Sequence, residues 1–151
     1  MQPVQVRRAV EQDAEVLTAL VQESGAYRGQ YATVIAGYRV TAEYIDQHLV
    51  FAAVGSTGQV LGFYALVREP AELDLAFVSD GAQGMGVGRR LVEHMLDQAA
   101  RAGLTRVRVV SNPPAERFYL RMGAEPVGTL PPSPPKVTWS RPELRFTINT
   151  A

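Results

Sequence analysis

The sequence predicts one α/β domain over residues 1–151, a central mixed, mostly antiparallel sheet of about seven strands flanked by about four helices. Three observations predict it. The 151 residues, 46% of them hydrophobic, suit one domain with its own core and are too few for two. Short apolar runs bounded by turn residues alternate with two longer stretches of helical period. No run approaches 18 apolar residues and the first 17 residues hold no apolar leader segment, so a soluble, cytoplasmic protein with no membrane partner is expected.

The elements follow in order. Residues 4–8 alternate and read as a strand. Asp13 or a neighbour opens a helix to about Glu23, with Val16, Leu17, Leu20 and Val21 on one face. Residues 24–40 are interrupted by Gly25, Gly29 and Gly37 and carry Tyr27, Arg28, Tyr31 and Tyr38, which look exposed. Thr41 is placed to cap a short helix to His48. Three strands then run over 49–54, 60–67 and 72–78, joined by turns short enough to make an antiparallel meander. A helix from Gly86 to about Ala102 has Val87, Leu91, Met95 and Ala99 at helical spacing and Gly103 as its stop. Residues 105–110 form a strand. Asn112-Pro113-Pro114 starts another helix, with Asn as cap and Pro at the first helical position, ending at Met122 before Gly123. Strands near 125–128 and 143–148 flank Pro131-Pro132-Ser133-Pro134-Pro135, a stiff loop inside the domain rather than a linker. There is no internal repeat.

Composition removes several chemistries. The chain has no cysteine, which excludes disulfides, thiolate metal sites and a cysteine nucleophile, and its histidines, His48 and His94, form no ligand pair; no metal is expected. Lys136 is the only lysine among fifteen basic residues, so a catalytic lysine of lowered pKa is not expected. The zero net charge conceals an asymmetry. Residues 1–80 hold five arginines against ten carboxylates, and residues 81–151 hold ten basic against five acidic groups. Scattered surface charge explains this; so does a cationic half for an anionic ligand beside an anionic half for a cationic one. The basic excess is modest and no recognition motif accompanies it, so nucleic acid is not an expected partner.

The most informative stretch is Gln83-Gly84-Met85-Gly86-Val87-Gly88-Arg89-Arg90, which follows a strand and opens a helix. Glycines let successive N–H groups converge and the helix start adds partial positive charge, the ingredients of a phosphate cradle. A P-loop would need Lys and Ser/Thr after Gly88, where Arg89 and Arg90 stand. A dinucleotide fingerprint would need glycine at 89 or 91, which are Arg89 and Leu91. The pattern present is Q-x-x-G-x-G, from Gln83, Gly86 and Gly88.

With that loop the chain resembles the GNAT superfamily of acetyl-CoA-dependent N-acetyltransferases, where Q/R-x-x-G-x-G/A after the fourth strand binds the pyrophosphate. A second block supports the resemblance: Asn112, then Ala115-Glu116-Arg117-Phe118-Tyr119, ending at Gly123, 29 residues after Gln83 with a helix and a strand between. The resemblance spans about residues 4–148 and implies the GNAT fold, acetyl-CoA as co-substrate, and a small-molecule or peptide amine as acceptor. Direct attack in a ternary complex suits a chain without cysteine. The alternative is a non-catalytic acyl-CoA-binding or regulatory module of the same fold. A homodimer is the base-rate expectation for assembly.

The resemblance also implies roles. Gln83 shapes the loop, and the amides of Gly84, Met85, Gly86, Val87, Gly88 and Arg89 surround the pyrophosphate. Phe77 and Val78 end the fourth strand, whose free backbone pairs with the pantetheine arm, the Val78 N–H polarising the thioester carbonyl. Asn112 reaches the pantetheine amides or serves as a helix cap. Tyr119 is the expected general acid for the leaving thiolate, with core packing as its plainer role. Glu72 and Asp74 are the candidate bases, placed by simple alternation on one face with Ala76 and Val78; either could equally be a solvated strand residue, with water relaying the proton. Tyr27, Arg28, Tyr31 and Trp139 are candidate walls of the acceptor site.

Overall fold

A computed structural model describes residues 4–24, 27 and 29–149. The sheet holds seven strands: β1 (Gln5–Arg8), β2 (Leu49–Val54), β3 (Val60–Arg68), β4 (Ala71–Val78), β5 (Arg106–Val110), β6 (Glu125–Leu130) and β7 (Arg141–Thr147). Their order is β1-β2-β3-β4-β5-β7-β6. Every neighbouring pair is antiparallel except β4 and β5, which are parallel. The sheet is mixed and mostly antiparallel, as expected.

Among the described residues four helices flank it: α1 (Ala14–Gln22), α3 (Ala42–Gln47), α4 (Val87–Arg101) and α5 (Glu116–Arg121), with α2 (Ala32–Ile35) a single turn. Two apolar layers result. On one face Leu17, Val21, Ile35 and Ile45 of α1–α3 meet Val50, Ala52, Phe63 and Phe77. On the other, Val87, Leu91, Met95 and Ala99 of α4 and Tyr119 of α5 meet Tyr64, Leu66, Val107 and Leu144. Residues 61–66 of β3 are all buried, because a central strand covered on both faces needs apolar side chains at every position. No described helix is long and apolar enough to cross a membrane.

Local departures from the expected elements have identifiable causes. Val16 is 47% exposed, so the buried stripe of α1 is Leu17 and Val21. Asp13 ends a short 3-10 turn before α1 rather than capping it: its carboxylate takes two bonds from Arg7 (2.8 and 3.0 Å) and the Val10 N–H (2.8 Å). The Arg7 bonds hold that carboxyl below the usual range. Thr41 does cap α3, accepting from the Tyr44 N–H at 3.1 Å. Gly25 and Arg28 lie outside the described residues.

Gly62 fixes the spacing of β3 and β4 beside the site. A Cβ there would lie 2.6 Å from the Phe77 carbonyl oxygen and 3.2 Å from the Val78 Cα. Gly62→Ala is therefore expected to cost about 1–3 kcal/mol as backbone overpacking. For a chain of this size that lowers Tm by roughly 3–10 °C, readable by thermal denaturation.

Candidate active site

The parallel pair β4 and β5 registers only at Glu72 opposite Arg108; beyond that point no further residues pair. The Ser79 N–H donates to the Leu61 carbonyl at 2.8 Å, on the β3 side. Alternate N–H groups of a strand point to opposite edges, so the Val78 N–H points to the β5 edge, where no strand meets it. The Val78 carbonyl on that edge accepts from Gln83 Nε2 at 3.2 Å, so the Gln83 side chain ties the glycine loop to the end of β4. The opening forms a cavity of about 900 Å³ lined from both faces of the sheet.

A β-bulge decides which way the β4 side chains point. Leu75 pairs with Ala65 while Leu73 pairs with Leu66, leaving Asp74 as the extra residue. Leu73, Ala76 and Val78 consequently pack on the α4 side, and Leu75 and Phe77 on the α1–α3 side. Simple alternation, which puts Glu72 and Asp74 beside Ala76 and Val78, is corrected. The two carboxylates share the α1–α3 face and Ala76 and Val78 take the other, because the inserted residue inverts the phase. Glu72 accepts from Arg108 Nη1 at 3.1 Å, and Arg108 also donates through Nε to Glu143 at 2.7 Å. Burial raises the Glu72 carboxyl above its ordinary value, with Asp74 and Glu143 adding to the rise and Arg108 opposing it. Asp74 accepts from the Tyr44 hydroxyl, whose pKa is raised chiefly by burial and then by that carboxylate.

The glycine loop lies across the opening. Gly86, at φ +77°, is the N-cap of α4, and Gly84 is also left-handed at +82°. Neither Cβ position meets an atom within 4 Å. Arg90 makes the first bond to the helix start, to the Gly86 carbonyl at 3.1 Å, so the preceding N–H groups of Gly86, Val87, Gly88 and Arg89 face outward from it. Met85 differs: its N–H closes a turn on the Ala82 carbonyl at 3.3 Å, its side chain is exposed, and it does not line the cavity. Gly88 is small for a packing reason, since a Cβ there would lie 3.3 Å from the Phe118 ring of α5. The Arg89 guanidinium is exposed and loosely paired with Glu93 at 3.5 Å, while Arg90 turns away to the Val4 carbonyl at 2.8 Å.

From α5, Tyr119 reaches the cavity between Phe118 and Phe146, with ring centroids 5.2 and 6.5 Å away. Burial raises its pKa above the ordinary phenol value, and the hydroxyl has no bonding partner among the described residues. Asn112 occupies the N-cap position of the 3-10 turn Pro113–Ala115, but its side chain makes no capping bond. Its Nδ2 is buried, unpartnered and on the cavity wall. The expected side-chain cap is thus corrected, and a donor is left for another acceptor. Tyr27 lines the cavity and packs on Phe77 at 5.3 Å. Tyr31 and Trp139 instead pack edge-to-face on each other at 4.8 Å, away from the cavity lining. Arg108 and Arg141, both on the cavity wall, were missed by the sequence reading, because strand arginines in a basic half carry no local signal.

Comparison with known proteins agrees with this geometry. The family model described as Acetyltransferase (GNAT) family matches residues 16–124. A relative in Salmonella typhimurium, Peptidyl-lysine N-acetyltransferase YjaB, is 27% identical over 134 residues, covering 83% of this chain and 86% of the relative. A GNAT-family structure from Desulfovibrio desulfuricans superposes with TM-score 0.78 at 19% identity, over 97% of this chain and all of that one. The ribosomal-protein-S18-alanine N-acetyltransferase of Escherichia coli does so with TM-score 0.73 at 18% identity, over 99% and 96%. The parted β4–β5 edge, the glycine-led helix start and the extent of the family match make this chain an acetyltransferase of the GNAT family.

Proposed function

We propose that the chain moves an acetyl group from acetyl-CoA, the co-substrate of its family, to a primary amine by direct attack in a ternary complex. One observation carries this reading: an unpaired strand edge, four outward helix N–H groups and a buried tyrosine hydroxyl converge on one cavity. The outward amides of Gly86, Val87, Gly88 and Arg89 suit a pyrophosphate, which gains from preorganised donors at a helix start. Gly84 and Gln83 hold the turn that aims them. The Asn112 Nδ2 and the Val78 N–H on the free β4 edge offer the polar partners a pantetheine arm needs.

In the transfer, the amine lone pair attacks the thioester carbonyl carbon. Charge develops on its oxygen, where the Val78 N–H donates. The C–S bond breaks and the thiolate takes the proton of the Tyr119 hydroxyl, which its raised pKa keeps protonated at neutral pH. The second proton, shed by the new amide nitrogen, restores that hydroxyl, directly or through water. The ammonium acceptor gives its proton to Glu72, directly or through water, with Asp74 adding negative charge on the same face.

The pH dependence tests the base. A raised Glu72 pKa means the ionised, proton-accepting form is lost as pH falls through that raised value, so the acidic limb of kcat/KM should stand above the ordinary carboxylate range. Glu72→Gln is expected to remove that limb and lower the plateau by about a hundredfold. A limb that survives both Glu72→Gln and Asp74→Asn would exclude these carboxylates. The reading as a whole is tested by thiol release from acetyl-CoA across amines: free amino acids, polyamines, and peptides with lysine or a free N-terminus. The relatives are named for different amines, peptidyl-lysine in one case and the alanine of a ribosomal protein in another. Release no faster than background with all of them would sink it.

A further inference from the structure

Resting on the acetyl-transfer reading, we propose that the acceptor carries a carboxylate as well as its amine, and that Arg141 is the residue that holds that carboxylate. Arg141 opens β7. Leu144 and Phe146 of the same strand pack on the α4 side, so Arg141 and Glu143 point to the face of Glu72, Asp74 and Arg108. Arg141 lines the cavity, its Nε is buried without a hydrogen-bond partner, and it has no ion pair with any described residue.

That state contrasts with Arg108 on the same face of the sheet, which is bound by two carboxylates. Buried guanidinium donors are normally satisfied, so an orphan at a cavity wall points to an anion supplied by the ligand. The planar fork of arginine matches a carboxylate through two parallel bonds.

Its position places that anion where β4 and β5 part: the carbonyl of Pro142, next to Arg141, accepts from the Ser111 N–H at 3.0 Å, and Asn112 follows on the cavity wall. Glu143, two residues away along the strand, is already committed to Arg108. The acceptor face therefore presents free cationic donors at Arg141 and negative charge at Glu72 and Asp74. A zwitterionic acceptor satisfies both, its ammonium toward the carboxylates and its carboxylate on Arg141. A purely cationic amine would leave the orphan unpaired and be repelled by it.

The test compares acceptors that differ only in the carboxylate. Thiol release is measured with glycine against glycinamide and phenylalanine against phenylalaninamide. A second arm uses lysine peptides bearing Glu or Gln beside the lysine, so that the two arms separate a free amino acid from a peptide carboxylate. The carboxamide amine is the less basic of each amino-acid pair, so that arm is biased against the proposal. In at least one arm the carboxylate form is expected to have a kcat/KM higher by about tenfold or more, mainly through KM. Arg141→Gln should bring that ratio to within about twofold of unity, and Arg141→Lys should retain part of it. Calorimetric titration of the CoA-bound protein with N-acetylphenylalanine, its carboxamide and the acetylated Glu and Gln peptides reads the same preference without turnover. If no amine releases thiol, the transfer reading fails and the calorimetry still decides this one. No carboxylate preference in the wild-type protein, or one that survives Arg141→Gln, overturns it.

Discussion

Tyr119→Phe is expected to lower kcat by about a hundredfold or more while leaving the acetyl-CoA Kd within about twofold. The substitution removes one oxygen and keeps the ring, so the contacts with Phe118 and Phe146 that seat α5 persist. The hydroxyl has no protein partner among the described residues, and its loss leaves no buried group unpaired. Folding stability should then hold, with Tm shifted by no more than a few degrees. A purely packing role predicts an unchanged kcat. A proton-donating role predicts a deep loss at saturating acetyl-CoA and amine, because the thiolate must leave without its acid. The raised pKa adds a sign: the donor stays protonated through neutral and mildly alkaline pH, so no alkaline decline from Tyr119 should appear near the ordinary phenol value. Calorimetry for Kd and steady-state rates for kcat separate the two roles. Full activity in Tyr119→Phe would remove the assignment.

The parts of the fold and site legible in the sequence are those that one stretch of chain specifies by itself. Gly84, Gly86 and the residues after them announce a left-handed turn and a helix start, and φ of +82° and +77° followed by α4 is what those glycines are for. The meander and the burial on both faces of β3 are written as apolar runs between turn residues. What escaped is set by contacts between distant segments. The bulge at Asp74 has no signature in Glu-Leu-Asp-Leu, and it reversed the partners assigned to Glu72 and Asp74 on the face they share. Asn112 precedes two prolines in the manner of a cap, yet its side chain is turned to the cavity, which depends on where β4 and β5 part. Trp139 was expected at the acceptor wall; the edge-on contact with Tyr31 that takes it elsewhere joins residues a hundred positions apart.

The charge asymmetry shows the same limit. The basic half does contain the α4 start, but it also supplies Arg108 and Arg141 to the face that bears Glu72 and Asp74. That face is a mixed field, with one arginine bound by two carboxylates and a second left open. A division of charge along the chain could not resolve that, because β5, with β7 on its far side, crosses from the basic half to lie beside β4.

Gly86→Val should weaken acetyl-CoA binding by about tenfold to a hundredfold. Gly86 stands at φ +77°, where a side chain with a Cβ is strained by about 1–2 kcal/mol and a β-branched one by more. No protein atom lies within 4 Å of the Cβ position, so steric conflict inside the fold is not the source of the effect. The backbone can relieve the strain only by rotating away from the left-handed region, and that rotation redirects the N–H groups of residues 86–89 that now face outward. The valine methyl groups would also project into the space that a pyrophosphate needs. Gly81→Ala supplies the contrast, because its Cβ position is open and its φ is not left-handed, so both binding and stability should be retained. Stability should move less than affinity in Gly86→Val, since the position lies at an exposed helix start rather than in either apolar layer. Calorimetric titration with acetyl-CoA measures the affinity change and thermal denaturation the stability change. An unchanged Kd in Gly86→Val would mean that the anion sits elsewhere, and the α4 start would then be a turn and nothing more.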